Sequence, residues 1–280
     1  MKKFSREEIL ERLYGKIALR QPIIIGGAGI GLVAKCADKA GIDIIMAYNT
    51  GPFRMDGHGS LAGYLAYGDS NAITLQLARQ ILPVVENTPV VGGIGAADPY
   101  RDIDRLIDDM IMIGYSGITN VPTAGLYDGT FRKHIDDTHL GYPEEVKLIR
   151  KCHDKNIFTL AYAFSPSECI AMAEAGADVI GTHVGLTVGG LIGAQASLSL
   201  DDACVKTEEM VQAARSVNPN IITVAHGGPF EDPKSVQVVF EKTSVDGYLG
   251  ASSIERIPVE KAIMQIISEY KNLKLKSKSK

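Results

Sequence analysis

Two histidines follow apolar segments of strand length in this sequence. His183 comes directly after residues 177–182, and His226 comes directly after residues 221–225. A neutral imidazole can accept a proton near pH 7, so each histidine is a candidate general acid or base. If the two segments are adjacent strands, the two rings could face one another. Each ring could instead serve only as a hydrogen-bonded residue at the rim of the sheet.

Two carboxylates are placed where they could orient a water molecule or bind a divalent metal such as Mg²⁺. Asp98 lies in Ala97-Asp98-Pro99, where it could equally cap the next helix. Glu145 lies in the first turn of a predicted helix, where a negative charge also favours the helix dipole. Their spacing does not specify a metal, and the sequence has no H-E-x-x-H signature. Asp98 and Glu145 are therefore candidates both for catalysis and for metal binding.

Anion binding is expected from one arginine and from two glycine-bearing loops. Arg54 has few apolar neighbours and could bind a carboxylate or phosphate through two parallel hydrogen bonds. Gly227 and Gly228 follow one candidate histidine, and Gly250 and Ser252 follow the last apolar segment. In enzymes built as barrels of parallel strands, the backbone amides of the loops after the last two strands often bind phosphate. The glycines could instead only relieve crowding at the rim. Further candidates for substrate binding are Asn49, Asn120 and Tyr162.

A glycine-rich segment, residues 26–31, precedes the helix predicted after the first strand. Its amides could hold an anion, and it resembles a dinucleotide-binding turn. The spacing of its final glycine does not fit that fingerprint, and Asp43 is not clearly at a strand end. We therefore expect no nicotinamide or flavin, and we interpret the glycines as those of a tight turn. Glu255 and Arg256, next to one another near the end of the chain, could pair only with each other.

Apolar segments of strand length alternate regularly with amphipathic segments of helix length. This alternation predicts the strands and helices that must position the candidate site residues. The predicted strands are residues 22–27, 42–48, 89–94, 117–121, 158–164, 177–182, 221–225 and 247–250. The predicted helices between and after them are residues 32–40, 71–85, 103–113, 143–155, 166–175, 201–217, 233–242 and 258–270. Ser5 and Glu8 form a capping-box pattern, which predicts a further helix over residues 6–19.

Eight strand–helix repeats predict an α/β fold, a (β/α)₈ TIM barrel with an extra N-terminal helix. The alternative, an open doubly wound sheet, often has fewer strands. We expect one TIM-barrel domain over residues 1–270 and a basic flexible tail over residues 271–280. Because the strands of such a barrel end on one face, the loops after the strands would bring the candidate residues together.

Composition narrows the partners that this chain could have. Its formal net charge is −4, which disfavours a nucleic-acid-binding protein. No apolar run approaches the roughly 20 residues of a membrane span. The four cysteines form no C-x-x-C pair, which favours reduced thiols. We therefore expect a cytoplasmic protein that binds neither nucleic acid nor membrane. We also expect a homo-oligomer and, from the candidate residues above, a small anionic substrate.

Taken together, several segments give the chain a resemblance to a known family. They are residues 22–29, 48–51, 59–63, 120–123, 183–187, 226–229 and 250–253. In these segments the chain resembles the phosphoenolpyruvate hydrolase-like TIM barrels, which lie near the phosphonopyruvate hydrolases and the phosphoenolpyruvate mutase and isocitrate lyase group. It is also similar to a domain in the C-terminal part of a plant tobamovirus-resistance protein. The resemblance implies a small oxoacid substrate and, from the mutase group, Mg²⁺ held by clustered carboxylates.

Three functions follow as hypotheses. The leading one is a hydrolase or a C–C or C–P lyase acting on a small anionic oxoacid related to phosphoenolpyruvate or phosphonopyruvate. In it Arg54 and the glycine loops bind the anion, His183 or His226 moves the proton, and Asp98 and Glu145 orient water or a metal. The second is a non-catalytic ligand-sensing or protein-binding barrel. The third is a nucleotide- or flavin-dependent oxidoreductase.

Overall fold

The strands of this protein form one closed barrel of parallel strands. The computed structural model describes residues 3–276; each strand pairs with the next along the chain, and the last pairs with the first. The strands are β1 (Ile23–Gly27), β2 (Ile44–Ala47), β3 (Val90–Gly93), β4 (Gly117–Thr119), β5 (Phe158–Ala163), β6 (Val179–His183), β7 (Ile222–His226) and β8 (Gly247–Gly250). The predicted (β/α)₈ barrel is confirmed.

Helices surround the barrel and connect its strands. Within residues 3–276 they are α1 (Arg6–Ala18), α2 (Gly31–Lys39), α3 (Thr50–Met55), α4 (Ser70–Ile81), α5 (Ile103–Ile113), α6 (Gly129–Asp137), α7 (Tyr142–Asp154), α8 (Pro166–Glu174), α9 (Leu200–Val217), α10 (Pro233–Lys242) and α11 (Arg256–Lys271). The sequence did not predict α3 and α6. Helix α3 is only six residues long, and α6 buries no side chain, so neither shows an apolar repeat.

Helix α1 closes the end of the barrel at which the strands begin. Ser5 and Glu8 form the capping box that starts this helix. Its buried residues, Ile9 and Leu13, pack in one core cluster with residues such as Ile23 at the start of β1. Apolar side chains thus fill the barrel from this end. The opposite end, where the strands finish, is left as the place for a polar ligand site.

Glycines in the segment of residues 26–31 allow two backbones to pass in contact. A Cβ atom on Gly29 would lie 2.1 Å from the carbonyl carbon of Gly51, which is in α3. No side chain fits at that distance, so the position requires glycine. The amide of Gly29 donates its hydrogen bond to the carboxylate of Glu255 and does not point to an open anion site. The segment serves close packing between the loop after β1 and α3.

Helix α11 leaves the barrel surface after its first turn. Its buried residues are Arg256 and Ile257. Its exposed apolar side chains are Ile263, Met264, Ile266, Ile267 and Tyr270. Within residues 3–276 no other element covers these apolar side chains.

The two ends of the chain are described only in part. Helix α11 ends at Lys271, the first residue of the expected basic tail, and residues 277–280 of that tail lie outside the described residues.

No helix within residues 3–276 is long and apolar enough to cross a bilayer. All four cysteines are free thiols, with Cys36 exposed and the other three buried.

Candidate active site

Two buried histidines lie side by side at the end of the barrel where the strands finish. His183 ends β6 and His226 ends β7, and the two residues are partners in the strand register. Their ring centroids are 4.6 Å apart, and the ring planes meet at 75°. Tyr162 of β5 packs against both rings, with centroid distances of 5.7 Å to His183 and 5.0 Å to His226. The expected juxtaposition of the two histidines is present.

The position of the proton on His183 follows from its contact with Gly185. The Gly185 amide donates to Nδ1 of His183 over 3.0 Å. A ring nitrogen that accepts a hydrogen bond carries no proton, so the neutral ring is protonated on Nε2. Burial lowers the pKa of His183 well below its ordinary value, and His226 and Lys206 add to that effect. Since Nε2 has no partner within residues 3–276 and is not sealed from solvent, it offers an N–H donor.

His226 has the opposite tautomer. Its Nδ1 lies 2.7 Å from the carbonyl oxygen of Leu249, and because a carbonyl only accepts, Nδ1 must donate. Nε2 of the neutral ring is therefore an unprotonated acceptor. Burial lowers the pKa of His226 to about 4, and the positive charge of Arg54 contributes to the same effect. The histidine pair thus offers one donor and one acceptor.

Both histidines line a cavity of about 220 Å³. Its other polar wall residues are Tyr48, Thr50, Arg54, Ser60, Tyr64, Tyr162, Thr187, Ser252 and Arg256. Residues between Leu186 and Ala194, in the loop after β6, form part of its wall, and Arg256 holds this loop by donating to the carbonyl of Gly189 over 2.9 Å. The volume is below that of pockets for drug-sized ligands and suits a smaller molecule.

Arg54 lies in this cavity, but most of its guanidinium is already engaged. Nε donates to Glu255 over 2.6 Å, and Nη1 donates to Thr50 over 2.7 Å. Burial opposes the charge of Arg54, but the carboxylate of Glu255 outweighs that effect and the pKa of Arg54 is raised. Nη2 is buried and has no partner of hydrogen-bond geometry within residues 3–276, although the nearby Tyr48 hydroxyl also raises the pKa of Arg54. The expected bidentate grip is therefore wrong in detail, because Nη2 alone is left to bind an anion.

Tyrosine hydroxyls add neutral hydrogen-bonding groups to the cavity wall. Burial raises the pKa of Tyr162 well above its ordinary value, and the neighbouring Tyr48 and Tyr64 reinforce that effect. Burial likewise raises the pKa of Tyr64. Tyr162 and Tyr64 therefore keep their protons at neutral pH and can donate hydrogen bonds to a ligand.

The glycine loops are placed differently from the expectation. Gly227 and Gly228 do not line the cavity, and the Gly228 amide donates to the carbonyl of Gly185 over 2.8 Å. Both glycines have positive φ angles, 85° and 55°, so they serve the tight turn that joins the loops after β6 and β7. Gly250 does not line the cavity either. Ser252 does, and it is the residue of this predicted anion site that could touch a ligand.

Two asparagines predicted to bind substrate do not line the cavity. Asn49 donates to the carbonyl of Gly63 and to the hydroxyl of Ser70, so it fixes the loop that follows α3. Asn120 donates to Glu145 over 2.5 Å and accepts from the amide of Tyr162 over 2.7 Å. These hydrogen bonds give both side chains a structural role. Strand-end position alone could not separate this role from ligand binding.

Asp98 and Glu145 share a second pocket at the same end of the barrel. This pocket, of about 230 Å³, adjoins the histidine cavity because Tyr64 lines both. Burial raises the pKa of Glu145 to about 8, although hydrogen bonds from Thr123, Ala124 and Asn120 partly offset that effect. Asp98 does not cap α5, whose N-cap is Asp102. The histidines and Arg54 therefore converge on one cavity, whereas Asp98 lies in its neighbour.

These two carboxylates do not form a magnesium site. Asp98 accepts hydrogen bonds from Asn71, from Arg101 and from the amide of Tyr100, which outweigh burial and lower its pKa. Both oxygens of Glu145 also accept hydrogen bonds from the protein. Within residues 3–276 no group of three or more histidine, cysteine, aspartate or glutamate side chains could hold a metal ion. Arg101 pairs with Asp98, and the raised pKa of Glu145 keeps that carboxyl group protonated at neutral pH, so these two residues do not fit Mg²⁺ and no chemical step below passes through a metal.

Several residues of the cavity were not found from the sequence. Tyr48 directly follows β2, so the rule that polar residues after strands face the site could have found it. Tyr64 and Arg256 have no such signal, because neither follows a strand. The expected pairing of Glu255 with Arg256 is wrong: Glu255 pairs with Arg54, and Arg256 pairs with Glu260 at 2.9 Å.

The fold and the cavity define a TIM barrel with a pair of buried histidines and a buried arginine at the end where its strands finish. The model of the family described as "Phosphoenolpyruvate hydrolase-like" matches residues 8–273. The chain belongs to this family. The family expected from the sequence is thereby confirmed, and it is one named for a hydrolase.

Two curated relatives come from tomato, Solanum lycopersicum. The chain is 43% identical to "ToMV susceptible protein tm-1(GCR26)" and 42% identical to "ToMV resistance protein Tm-1(GCR237)", over 97% of this chain in each case. It spans only 36% of the length of each relative. The expected similarity to part of a plant tobamovirus-resistance protein is confirmed.

Among solved structures the chain has the fold of a phosphonopyruvate hydrolase. That structure is "Crystal Structure of Phosphonopyruvate Hydrolase Complex with Oxalate and Mg++", with a TM-score of 0.59 and 16% identity. The match covers 96% of this chain and 87% of the other. At this identity the likeness concerns the fold alone.

Proposed function

We propose that this protein is a hydrolase or lyase that acts on a small anionic oxoacid of the phosphoenolpyruvate or phosphonopyruvate kind in the histidine-lined cavity. The observation that carries the proposal is the combination of a neutral histidine donor, a neutral histidine acceptor and an unpartnered arginine nitrogen in one buried space. These are the groups that a reaction moving one proton on an anion requires.

Arg54 would bind the acid group of the substrate. Nη2 is a buried cationic donor without a partner, and such a group gains most from an anionic acceptor. Glu255 keeps the rest of the guanidinium in place through Nε. The hydroxyls of Tyr48 and Ser252, which line the same cavity, would complete the contacts to the substrate oxygens.

His183 and His226 would divide the proton chemistry between them. As water attacks phosphorus, the C–P bond of phosphonopyruvate or the O–P bond of phosphoenolpyruvate breaks, and its electron pair passes to the enolate of pyruvate. Nε2–H of His183 donates to that enolate oxygen and stabilises its negative charge. In a hydrolase, Nε2 of His226 accepts the proton of the attacking water and returns it to the methylene carbon of the enolate, which gives pyruvate. In a lyase, Nε2 of His226 accepts a proton from the substrate and returns it to the carbon at which the bond breaks. A substrate anion at Arg54 offsets the positive charge that lowers the pKa of His226. Binding therefore raises that pKa and makes His226 a stronger base.

The comparisons support the substrate class. The family is named for phosphoenolpyruvate hydrolysis, and the phosphonopyruvate hydrolase of the same fold was crystallised with oxalate, a small dicarboxylate. Hydrolysis of either phosphoenolpyruvate or phosphonopyruvate gives pyruvate and phosphate. One assay of pyruvate release therefore covers both candidate substrates.

A thermal-shift screen with oxalate, phosphonopyruvate and phosphoenolpyruvate tests the proposal, followed by the pyruvate assay on any compound that binds. A ligand of the native state raises the melting temperature by mass action. We expect stabilisation by at least one of the three and loss of that stabilisation in Ser252→Tyr, which fills the cavity. No shift with any of them, and no pyruvate release, would rule out this function.

A second candidate, a protein-binding barrel, is favoured by one feature, the exposed apolar residues of α11. We propose that these residues contact a second copy of the chain, which makes the protein a homo-oligomer. A contiguous apolar surface on a helix is typical of an interface. Self-association through α11 is compatible with catalysis in the cavity, whereas a barrel that only binds other proteins would leave the cavity without a ligand.

A further inference from the structure

Carboxylates near the two pockets are committed to the protein itself. Glu255 accepts from Arg54 through one oxygen and from the amide of Gly29 through the other. Asp98 and Glu145, in the neighbouring pocket, also use both oxygens for hydrogen bonds. Mg²⁺ in proteins is usually held by one or two carboxylates that face the ion, and no aspartate or glutamate is among the described residues that line the histidine cavity. The histidine cavity has no carboxylate, within residues 3–276, that meets this requirement.

Positive charge in the cavity comes from two arginines. They differ in whether the protein supplies a hydrogen-bond acceptor to each terminal nitrogen of the guanidinium. Arg256 uses Nη1 for Glu260 and Nη2 for the carbonyl of Gly189. Arg54 leaves Nη2 without a partner although the atom is buried. Leaving a buried donor of a charged group unsatisfied costs free energy, so this atom gains from a ligand acceptor.

Gly27, at the end of β1, lies against both Arg54 and Tyr48. A Cβ atom on Gly27 would lie 3.3 Å from Nη2 of Arg54 and 3.3 Å from the hydroxyl oxygen of Tyr48. A methyl group at this position would therefore crowd both polar atoms. Because both atoms lie close to one point of the barrel wall, a ligand oxygen in the adjoining cavity could accept from the guanidinium and from the tyrosine together.

We propose that the carboxylate of the oxoacid binds directly to Nη2 of Arg54, beside Gly27 and Tyr48, without a bridging divalent cation. This inference rests on the proposed function, and it departs from what the magnesium-containing hydrolase of the same fold suggests. One guanidinium nitrogen and neutral hydroxyls take the place that a metal ion would have. The site then selects a single carboxylate through charge-assisted hydrogen bonds.

Isothermal titration calorimetry with oxalate tests the proposal when it is run in EDTA and again in MgCl₂. We expect dissociation constants within twofold of each other once the oxalate bound to Mg²⁺ in solution has been subtracted from the total. Binding only in MgCl₂ would overturn the inference while leaving the proposed function intact. Binding in neither buffer would overturn both. A parallel Mn²⁺ titration of the protein without oxalate, followed by electron paramagnetic resonance, should show no stoichiometric loss of the free-ion signal; such a loss would count against the inference.

Two variants test whether oxalate binds at Arg54. Arg54→Lys removes Nη2, and we expect binding in EDTA to weaken at least tenfold. Because Arg54 belongs to a buried ion pair, this variant could fail to fold, so Gly27→Ala provides a second test that keeps every charge. Its methyl group occupies the space beside Nη2 and should also weaken binding about tenfold. Gly15→Ala, where a Cβ meets nothing within 4 Å, is the matched control. Unchanged affinity in Gly27→Ala would overturn the proposal.

Discussion

Nδ1 of His183 accepts a hydrogen bond from the Gly185 amide, whereas Nδ1 of His226 donates one to the carbonyl of Leu249. The two neighbouring imidazoles are therefore fixed in opposite tautomers by backbone groups. Their Nε2 atoms differ in turn, since one is a donor and the other an acceptor. Two histidines of the same type in the same strand position thus acquire different chemical roles from their local backbone.

Replacing either histidine should reduce turnover without unfolding the protein. We expect His226→Gln to lower kcat by about 10²–10⁴, because the general base is lost. His183→Gln should lower kcat by about 10²–10³, the effect of removing one donor to a developing oxyanion. The measurement is pyruvate release from the substrate that the screen identifies. His134→Gln, at an exposed position of α6, is the control. A kcat within threefold of wild type in both variants would refute the assigned roles.

The Arg54–Glu255 pair should be essential to stability. Its side chains are 2% and 0% exposed, so Glu255→Gln leaves a buried guanidinium without its counter-ion. We expect a loss of about 3–5 kcal/mol in the free energy of unfolding, measured by urea denaturation. In the control pair, Lys39 and Glu86 are 57% and 67% exposed, and Glu86→Gln should cost no more than about 1 kcal/mol. Equal losses in the two variants would contradict this account.

Stability should pass through a maximum near pH 6.5. The pKa of Glu145 is about 8 in the folded protein against an ordinary value of 4.5, so the folded state holds the extra proton between these values and stability falls as pH rises from 4.5 to 8. The pKa of His226 is about 4 against 6.5, so the unfolded state binds the extra proton and stability falls as pH drops from 6.5 to 4. Below pH 6.5 the effects of Glu145 and His226 oppose one another. His183, whose pKa is also lowered, acts in the same direction as His226, so the two histidines together outweigh Glu145 there and place the maximum near pH 6.5.

The variant Glu145→Gln separates the contribution of Glu145 to the pH dependence of stability from that of the histidines. Between pH 6.5 and 8 wild type should lose about 2 kcal/mol of unfolding free energy, and the variant should not. Glu144→Gln, one residue earlier in α7, should keep the wild-type dependence. Urea denaturation at pH 5, 6.5 and 8 measures all three proteins. A decline above pH 6.5 that persists in Glu145→Gln would show that another group is responsible.

Charge placed on the exposed face of α11 should separate the copies of the chain. We expect Ile263→Glu together with Ile267→Glu to lower the molar mass in size-exclusion chromatography with light scattering, because both apolar side chains are about half exposed in one copy. The melting temperature of the barrel should change little, since neither residue is buried within it. Lys261→Glu, on the same helix, is the control. A wild-type mass equal to that of one chain would contradict self-association.

Hydrophobic periodicity was enough to predict the barrel. Parallel strands buried on both faces show as short apolar runs, and this pattern is local in sequence, so all eight strands could be recognised. The short helices α3 and α6 were not predicted from the sequence, because a helix that buries few side chains has no apolar repeat. The adjacency of His183 and His226 also followed from the sequence, because sequential strands of a barrel are neighbours.

What the sequence by itself determined is therefore the barrel, its order of strands and the pair of histidines at their ends. Only the tertiary structure decided which polar residues face the cavity and which are bound by the protein: Asn120 and Glu145 bind each other, Glu255 binds Arg54, and the Gly228 amide binds Gly185. The physical reason is that each of these contacts joins loops or elements far apart in the chain. A hydrogen bond satisfied across such a distance leaves no local pattern, whereas burial of a strand does.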